Sequence, residues 1–359
     1  MQRATAARVG FIGLGMMARE HARDILDHGG RIDAVCEPSD SAYALAATLF
    51  SDRGLPLPPN EPDWRRFIET YAGQLEAVVI VTPHVLHFAQ ASACMEAGLD
   101  VILEKPMVMT AAEAEALIET RDRTGRTLMV AFQGTASTRG TEARRLLRSG
   151  ELGQILNISA VVWQDWATNT AGSWRQQPEA AGGGFMFDTG AHLLNTVADL
   201  AGEDFVDVAA WQADDEYPVD VRTVVMGRLA SGALVTMNGC GRAIPSLGSE
   251  IRFFTTKAIL RTGIYGDLLE LQRAGRRRFR RVSAETHGSV WERFVQVRAG
   301  DAPNPNPAEV GLRMARLWDA IRLSAVNDGA VVRLPSTTPV EIPDVADQAG
   351  MLSLRPAAS

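Results

Sequence analysis

The chain of 359 residues carries only three cysteines, no excess of positive charge and no long apolar run. Each absence removes a class of protein. Cys36, Cys94 and Cys240 lie far apart and form no C-x-x-C pair, which leaves neither a thiolate zinc site nor a dithiol redox motif. They read as buried thiols in a reducing compartment, and the expected location is the cytoplasm. Met1-Gln-Arg-Ala-Thr-Ala-Ala-Arg8 reaches strand-like residues without an apolar signal core, and no stretch approaches the roughly 20 apolar residues that cross a bilayer, so no membrane association is expected. A net charge of −7 argues against a nucleic-acid partner. Apart from one Asp/His pair, no His, Cys, Asp or Glu residues stand at ligand spacing, and no metal is expected. Repeats and low-complexity blocks are also missing.

What remains is 46% hydrophobic and 22% charged, the composition of a folded protein long enough for about two domains. Arg8-Val-Gly-Phe-Ile12 is strand-like and runs into Gly13-Leu-Gly15-Met16-Met17-Ala18, after which Ala22, Ile25 and Leu26 recur at helical spacing. In this strand-turn-helix context G-x-G-x-x-A has physical content. Gly13 permits the tight turn, Gly15 lets backbone N–H groups approach a pyrophosphate, and Ala18 lets the helix pack on the strand. The next strand, Ile32–Cys36, ends at Glu37, 24 residues past Gly13 and about where an acid accepts the ribose hydroxyls. Pro38, Ser39 and Asp40 follow, so no adjacent base pairs with a 2′-phosphate, and NAD is expected over NADP.

Ala77–Val81 is apolar on both faces, as a central parallel strand requires, and closes at Thr82-Pro83-His84 on the edge where open α/β sheets bind ligands. A helix over about 84–97 carries His84 and His87, which face either the cofactor edge or solvent. Asp100–Leu103 leads into Glu104-Lys105-Pro106. Thr110-Ala-Ala-Glu113 reads as a capping box for a helix ending at Gly125, and Thr127–Phe132 is the last strand of the unit. The expected domains are 1–132, a dinucleotide-binding Rossmann unit, and 133–359.

The glycine turn, Thr82-Pro83, Glu104-Lys105-Pro106 and the later Gly182-Gly-Gly184 with Asp188-x-x-x-His192 occur in that order, and together they resemble the Gfo/Idh/MocA oxidoreductases. The likeness covers about residues 8–200, returns at Asn306–Ser324 and is one of strand pattern only over 205–300. It implies an α/β Rossmann domain followed by an α+β domain with an open-faced, mostly antiparallel sheet that binds sugars or polyols and makes oligomer contacts. A homodimer or homotetramer is therefore expected. Gln133-Gly-Thr-Ala-Ser-Thr138 departs from the Arg-rich stretch of many members, which alters the substrate pocket around Gln133. Gln164-Asp165-Trp166 and Trp174-Arg175 look like segments of a subset of the family.

Asp188 and His192 stand at i, i+4, so both fall on one helix face, where the carboxylate would fix the imidazole tautomer for a general base. Lys105, at the carboxyl edge of the sheet, would polarise the reacting oxygen. The expected catalytic residues are thus Lys105, Asp188 and His192. Met16, Met17, Thr82, Pro83, His84, His87 and Glu104 join Gly13, Gly15 and Glu37 at the cofactor. Trp163, Trp166 and Trp174 form either an aromatic wall for a sugar, with Gln164, Asp165 and Arg175 on its hydroxyls, or part of the core. The three glycines before Asp188 either let a ligand approach closely or form a flexible loop. From 205 on, short strands with Gly-containing turns suggest an antiparallel meander, Arg276–Arg281 a solvated hairpin, and the chain after Pro335 an irregular tail. The function expected is NAD-dependent oxidation of a sugar or polyol. An NAD-dependent glycoside hydrolase, which the resemblance also allows, would use the same residues.

Overall fold

The structure is a computed structural model that describes residues 7–284 and 289–335; the tail after Pro335 lies outside the described residues. Strands β1 (Arg8–Ile12), β2 (Arg31–Cys36), β3 (Ala77–Ile80), β4 (Asp100–Leu103) and β5 (Leu128–Val130) form a parallel sheet in the order β2-β1-β3-β4-β5. Helices α1 (Met16–Asp27), α2 (Asp40–Ser51), α3 (Trp64–Tyr71), α4 (His84–Glu96) and α5 (Ala111–Thr124) lie between them. Every residue of β3 and β4 is buried, as strands covered on both faces must be. The strand order reverses between β1 and β3, and a ligand crevice is expected at their carboxyl ends. Gly13–Gly15 and Thr82–Pro83 stand there.

Local chemistry sets the helix ends. Ser39, Asp63 and Thr110 accept backbone N–H groups at the starts of α2, α3 and α5, and Gly125 closes α5 with φ +64°. The expected capping box at α5 is only half formed, because Glu113 reaches one residue further back and accepts from Met109 N at 3.0 Å. Helices α1 and α4 have no side-chain cap, and the first N–H groups of α1 stand at the glycine turn.

The chain then forms α6 (Gln133–Ala136), α7 (Thr138–Arg148), β6 (Ile155–Trp163), α8 (Trp166–Asn169), α9 (Pro178–Ala181), α10 (Phe185–Asp188) and α11 (Gly190–Ala201). Strands β7 (Phe205–Ala213), β8 (Arg222–Leu229), β9 (Leu234–Cys240), β10 (Gly248–Thr255), β11 (Ala258–Thr262), β12 (Leu269–Arg273) and β13 (Arg280–Arg281) follow. After α12 (Val290–Ala299) and α13 (Ala308–Val326), β14 (Val332–Arg333) completes a nine-stranded sheet ordered β13-β12-β11-β10-β6-β9-β8-β7-β14. The simple meander is therefore corrected. β7-β8-β9 and β10-β11-β12-β13 are two meanders, and β6 lies between them, antiparallel to β10 but parallel to β9. The reason is that β10 does not pair back on β9 but crosses to the other side of β6.

Along β6, Ile158, Ala160 and Val162 point inward beneath α11, every residue of which is buried. The chain also returns to the first sheet. Val290, Trp291 and Phe294 of α12 share a core with Val9, Phe11 and Ile25, and Val130 N donates to Asn306 O at 2.9 Å. Fully burying such a side chain contributes about 1.5–3 kcal/mol.

Three helices of the second half meet at one buried carboxylate. Asp199 on α11 accepts from Arg144 Nη2 of α7 at 2.6 Å, and Arg313 Nη2 of α13 lies 3.7 Å away. Removing one partner of a buried ion pair strands the others without compensation. Asp199→Ala is expected to cost about 3–5 kcal/mol, read as a lower urea midpoint. A loss under about 1 kcal/mol would show that the guanidiniums are held by something else.

Candidate active site

Gly13 has φ +92°, and a Cβ there would lie 2.4 Å from Val81 O, so the turn after β1 tolerates no side chain. Gly15 is the opposite case. A Cβ on it would meet nothing within 4 Å, which leaves open space in front of the uncapped start of α1. Glu37 is buried behind this turn and accepts Leu14 N at 2.7 Å and Ser39 N at 2.8 Å, one on each oxygen. Asn60 pairs with its backbone from both sides. The carboxylate is thus fixed with acceptor capacity on both oxygens to spare.

Beside Gly15 a small cavity of about 100 Å³ is lined by Met16, Met17, Thr82, His84, Glu104, Lys105, Trp174, Arg175 and Asp188. It adjoins a larger one of about 420 Å³, to which Gln133, Gln164, Trp166, His192 and Tyr265 contribute. Lys105 and Asp188 line both, so side chains from the two halves of the chain meet around one space. Lys105 Nζ donates to Asp188 O at 3.0 Å and to its Oδ1 at 3.1 Å. The other carboxylate oxygen, Oδ2, accepts Trp166 Nε1 at 2.8 Å and Arg175 Nε at 3.1 Å. Burial would push this carboxyl up, but the charges of Lys105 and Arg175 outweigh it and hold the group well below its ordinary range.

No hydrogen bond joins Asp188 to His192 among the described residues, which corrects the expected pairing. The regular helical hydrogen bonding is interrupted at Thr189, whose O accepts His192 N at 3.2 Å while Asp188 O takes Lys105, and three donors already occupy the carboxylate. His192 instead lies between Phe132 and Tyr265, with ring centroids 5.8 and 5.1 Å away. Burial, helped by the Lys105 charge, lowers it to about 3, so the imidazole is neutral near pH 7. Glu104 shows the converse. Burial opposes its charge, yet His21 at 2.7 Å and Lys105 hold it down to about 2.

Residues 7–132 match the family described as "Oxidoreductase family, NAD-binding Rossmann fold", and residues 141–261 match the "GFO/IDH/MocA C-terminal domain". The chain belongs to the Gfo/Idh/MocA family of oxidoreductases. An inositol 2-dehydrogenase of Leifsonia xyli subsp. xyli is 27% identical, with 97% of this chain and 93% of that protein covered. Levoglucosan dehydrogenase of Pseudarthrobacter phenanthrenivorans is 33% identical over 143 residues, 39% of this chain and 36% of that protein. The chain spans between 36% and 59% of the length of the first curated relatives it matches. An inositol dehydrogenase homologue from Azotobacter vinelandii, solved with NAD+, has the same fold, with a TM-score of 0.80 at 21% identity over 92% of this chain and 98% of that one.

Within this Gfo/Idh/MocA chain several expected site residues stand elsewhere. His87 is wholly buried, with Nδ1 2.9 Å from Pro106 O and Nε2 3.0 Å from Thr82 O, so it fastens two turns together and does not reach the cleft. His84 does line the small cavity, with Nδ1 donating to Ala181 O at 2.7 Å. Pro83 serves as the residue before α4 and lines neither cavity. Trp163 lies on the outer face of the second sheet, where its Nε1 donates to Asn238 Oδ1 at 2.9 Å; the alternation of β6 carries it away from the site. Asp165 does not line the cavity, while its neighbours Gln164 and Trp166 do. Trp174 packs edge-on against His84, its ring centroid 4.7 Å away, beneath the Arg175 guanidinium. The three glycines press on protein. A Cβ on Gly183 would lie 2.5 Å from Trp318 and one on Gly184 1.9 Å from Asp220 O, so packing requires them.

Tyr265 went unread in the sequence, since one aromatic in the Gly263-Ile-Tyr-Gly266 turn gives no periodic signal. It lines the cavity beside His192, and its hydroxyl accepts Gln164 Nε2 at 3.3 Å. His21, the partner of Glu104, lies on α1 with no motif to mark it.

These histidines give the fold an acid dependence. His84 and His192 are both lowered to about 3 from 6.5, principally by burial. Between those values the unfolded chain binds protons that the folded one refuses, so stability falls as pH drops from about 6.5 towards 3, by up to about 1.4 kcal/mol per pH unit for each ring. Urea midpoints should fall between pH 7 and pH 5, with a shallower slope in His84→Gln. A flat profile over that interval would contradict the burial argument.

Proposed function

We propose that this protein is an NAD-dependent dehydrogenase that oxidises a CH–OH group of a sugar or polyol. One observation carries the reading: Lys105, Asp188 and His192 line a single cavity that adjoins the glycine turn through Met16 and Met17. The turn suits a dinucleotide, with open space at Gly15, an uncapped α1 and Glu37 fixed behind it. Gly15, Met16 and Met17 would hold the pyrophosphate side and Glu37 the ribose, where a carboxylate would repel a 2′-phosphate. NAD, when bound, supplies the hydride acceptor.

The chain's own groups handle the proton and the developing charge. Neutral His192 takes the hydroxyl proton as general base. The Lys105 ammonium, held by Asp188, donates to the reacting oxygen and stabilises it as negative charge develops. Trp166 and Arg175 act through Asp188 as positioning residues, while Gln133, Gln164 and Tyr265 are the groups available to substrate hydroxyls. This assignment moves Asp188 from the imidazole to the amine. The outer face of the second sheet exposes Trp211, Val224, Met226 and Leu234, which supports a homodimer or homotetramer. Three free thiols suit the cytoplasm.

Free sugars, polyols and glycosides are each offered with NAD, and the free sugars or polyols should yield net NADH. Release of an aglycone without net NADH would overturn the dehydrogenase reading in favour of the hydrolase. Lys105→Ala and His192→Asn should each lower turnover by at least about 10²-fold with NAD binding retained. kcat/KM should favour NAD over NADP by at least about tenfold, a preference that Glu37→Ser relaxes. Trp166→Phe removes a hydrogen bond to a charged group, of order 1.5–3 kcal/mol, and so destabilises the ionised form of Asp188. Its kcat should fall about tenfold with the KM for NAD unchanged. An unchanged kcat, or a matching loss of cofactor binding, would leave Trp166 a merely structural role.

A further inference from the structure

At the edge of the second sheet, β12 and β13 form a hairpin with six arginines between positions 273 and 281. Leu271 pairs with Arg280 and Glu270 with Arg281 across the two strands, and Arg276 N closes the turn onto Arg273 O at 3.0 Å. Arg273, Arg276, Arg278, Arg280 and Arg281 line a cavity of about 320 Å³ whose floor is Leu271 and Val282. Phe279 anchors the segment beneath the Arg261 guanidinium.

The local acids are already committed. Glu151 pairs with Arg273, and Glu250 and Glu270 both pair with Arg261. Among the described residues, Arg276, Arg277, Arg278, Arg280 and Arg281 have no carboxylate partner. Four of these, Arg276, Arg278, Arg280 and Arg281, line the cavity and repel one another, in a chain whose net charge is −7. Guarding an edge strand against pairing needs a charge or two, not four. A single monovalent anion does not balance them either. Planar guanidinium forks match phosphate oxygens bidentately, and several forks together suit a chain of phosphates.

We propose that this hairpin is a binding site for a small oligophosphate, a di- or triphosphate either free or borne by a nucleotide. It is separate from the catalytic cavity. Tyr265 lies in the turn before β12, whereas the arginines gather at the other end of that strand, about 13 Å on at roughly 3.3 Å per residue.

The test is a calorimetric titration of the full chain with sodium pyrophosphate, and separately with UDP, in saturating NAD so that the glycine turn is filled. Ionic strength is held constant. Saturable binding is expected, weakening at least tenfold in Arg278→Ser/Arg280→Ser and falling steeply with added NaCl, while dehydrogenase turnover stays unchanged. Similar affinity for both probes would indicate the free anion as ligand, and a preference for UDP a nucleotide-borne one. No saturable binding, or equal binding by the double variant, would overturn the proposal and leave a solvated edge. Neither outcome depends on the chemistry proposed for Lys105 and His192.

Discussion

The structure depends on one buried carboxylate. Asp188 receives Lys105 from the end of β4, Trp166 from α8 and Arg175 from the loop before α9, at distances between 2.8 and 3.1 Å. Charges so deeply buried are tolerated only when they are paired and their remaining positions are hydrogen-bonded. Its placement therefore constrains three segments at once, and the cleft between the two sheets is defined where they converge. Lys105 cannot point elsewhere without stranding Asp188, and Asp188 cannot turn to His192 without giving up two cations for a neutral ring.

The first sheet was legible because its signals are local. A glycine turn between an apolar strand and an amphipathic helix, a fully apolar four-residue strand at β3 and Ser, Thr and Gly at helix ends each require only a short window. Helix α2 carries a weaker signal, because Ser39, its cap, follows directly on Glu37-Pro38 and an Ala-rich stretch gives little periodicity. The second sheet was legible as strands but not as topology. Nothing in the alternation of β6 says that its partners are β10 and β9, since pairing is decided by which apolar faces α11 and α13 leave to be covered.

At the site, residue types and their approximate places could be read, but their partnerships could not. The i, i+4 rule assumes an unbroken helix and an otherwise free carboxylate. Asp188 and His192 satisfy neither condition, because the helix is interrupted at Thr189 and the carboxylate is occupied. Trp166 suggested an aromatic wall from its ring, whereas its indole N–H is what reaches Asp188. His87 looked like a surface or cofactor histidine because α4 carries few charges to mark its outer face, and the carbonyls that fix it come from Thr82 and Pro106.

The consequence for chemistry lies in what burial does to two neighbouring groups. Desolvation acts against the charged form of both Asp188 and His192. For Asp188 the cations reverse it, and the group stays ionised. For His192 the Lys105 charge adds to it, and the ring stays neutral. The same ammonium thus stabilises the anion on one side and discourages the cation on the other, lowering both groups, so that the carboxylate stays charged and the ring neutral. A base that begins neutral can accept the hydroxyl proton, while a paired ammonium can face the oxygen from which that proton leaves. An Asp188–His192 hydrogen bond would have raised the affinity of the imidazole for a proton before substrate arrived and left Lys105 without its anchor. The interrupted helix at Thr189, an irregularity when judged as a helix, is consistent with keeping those two functions on separate side chains.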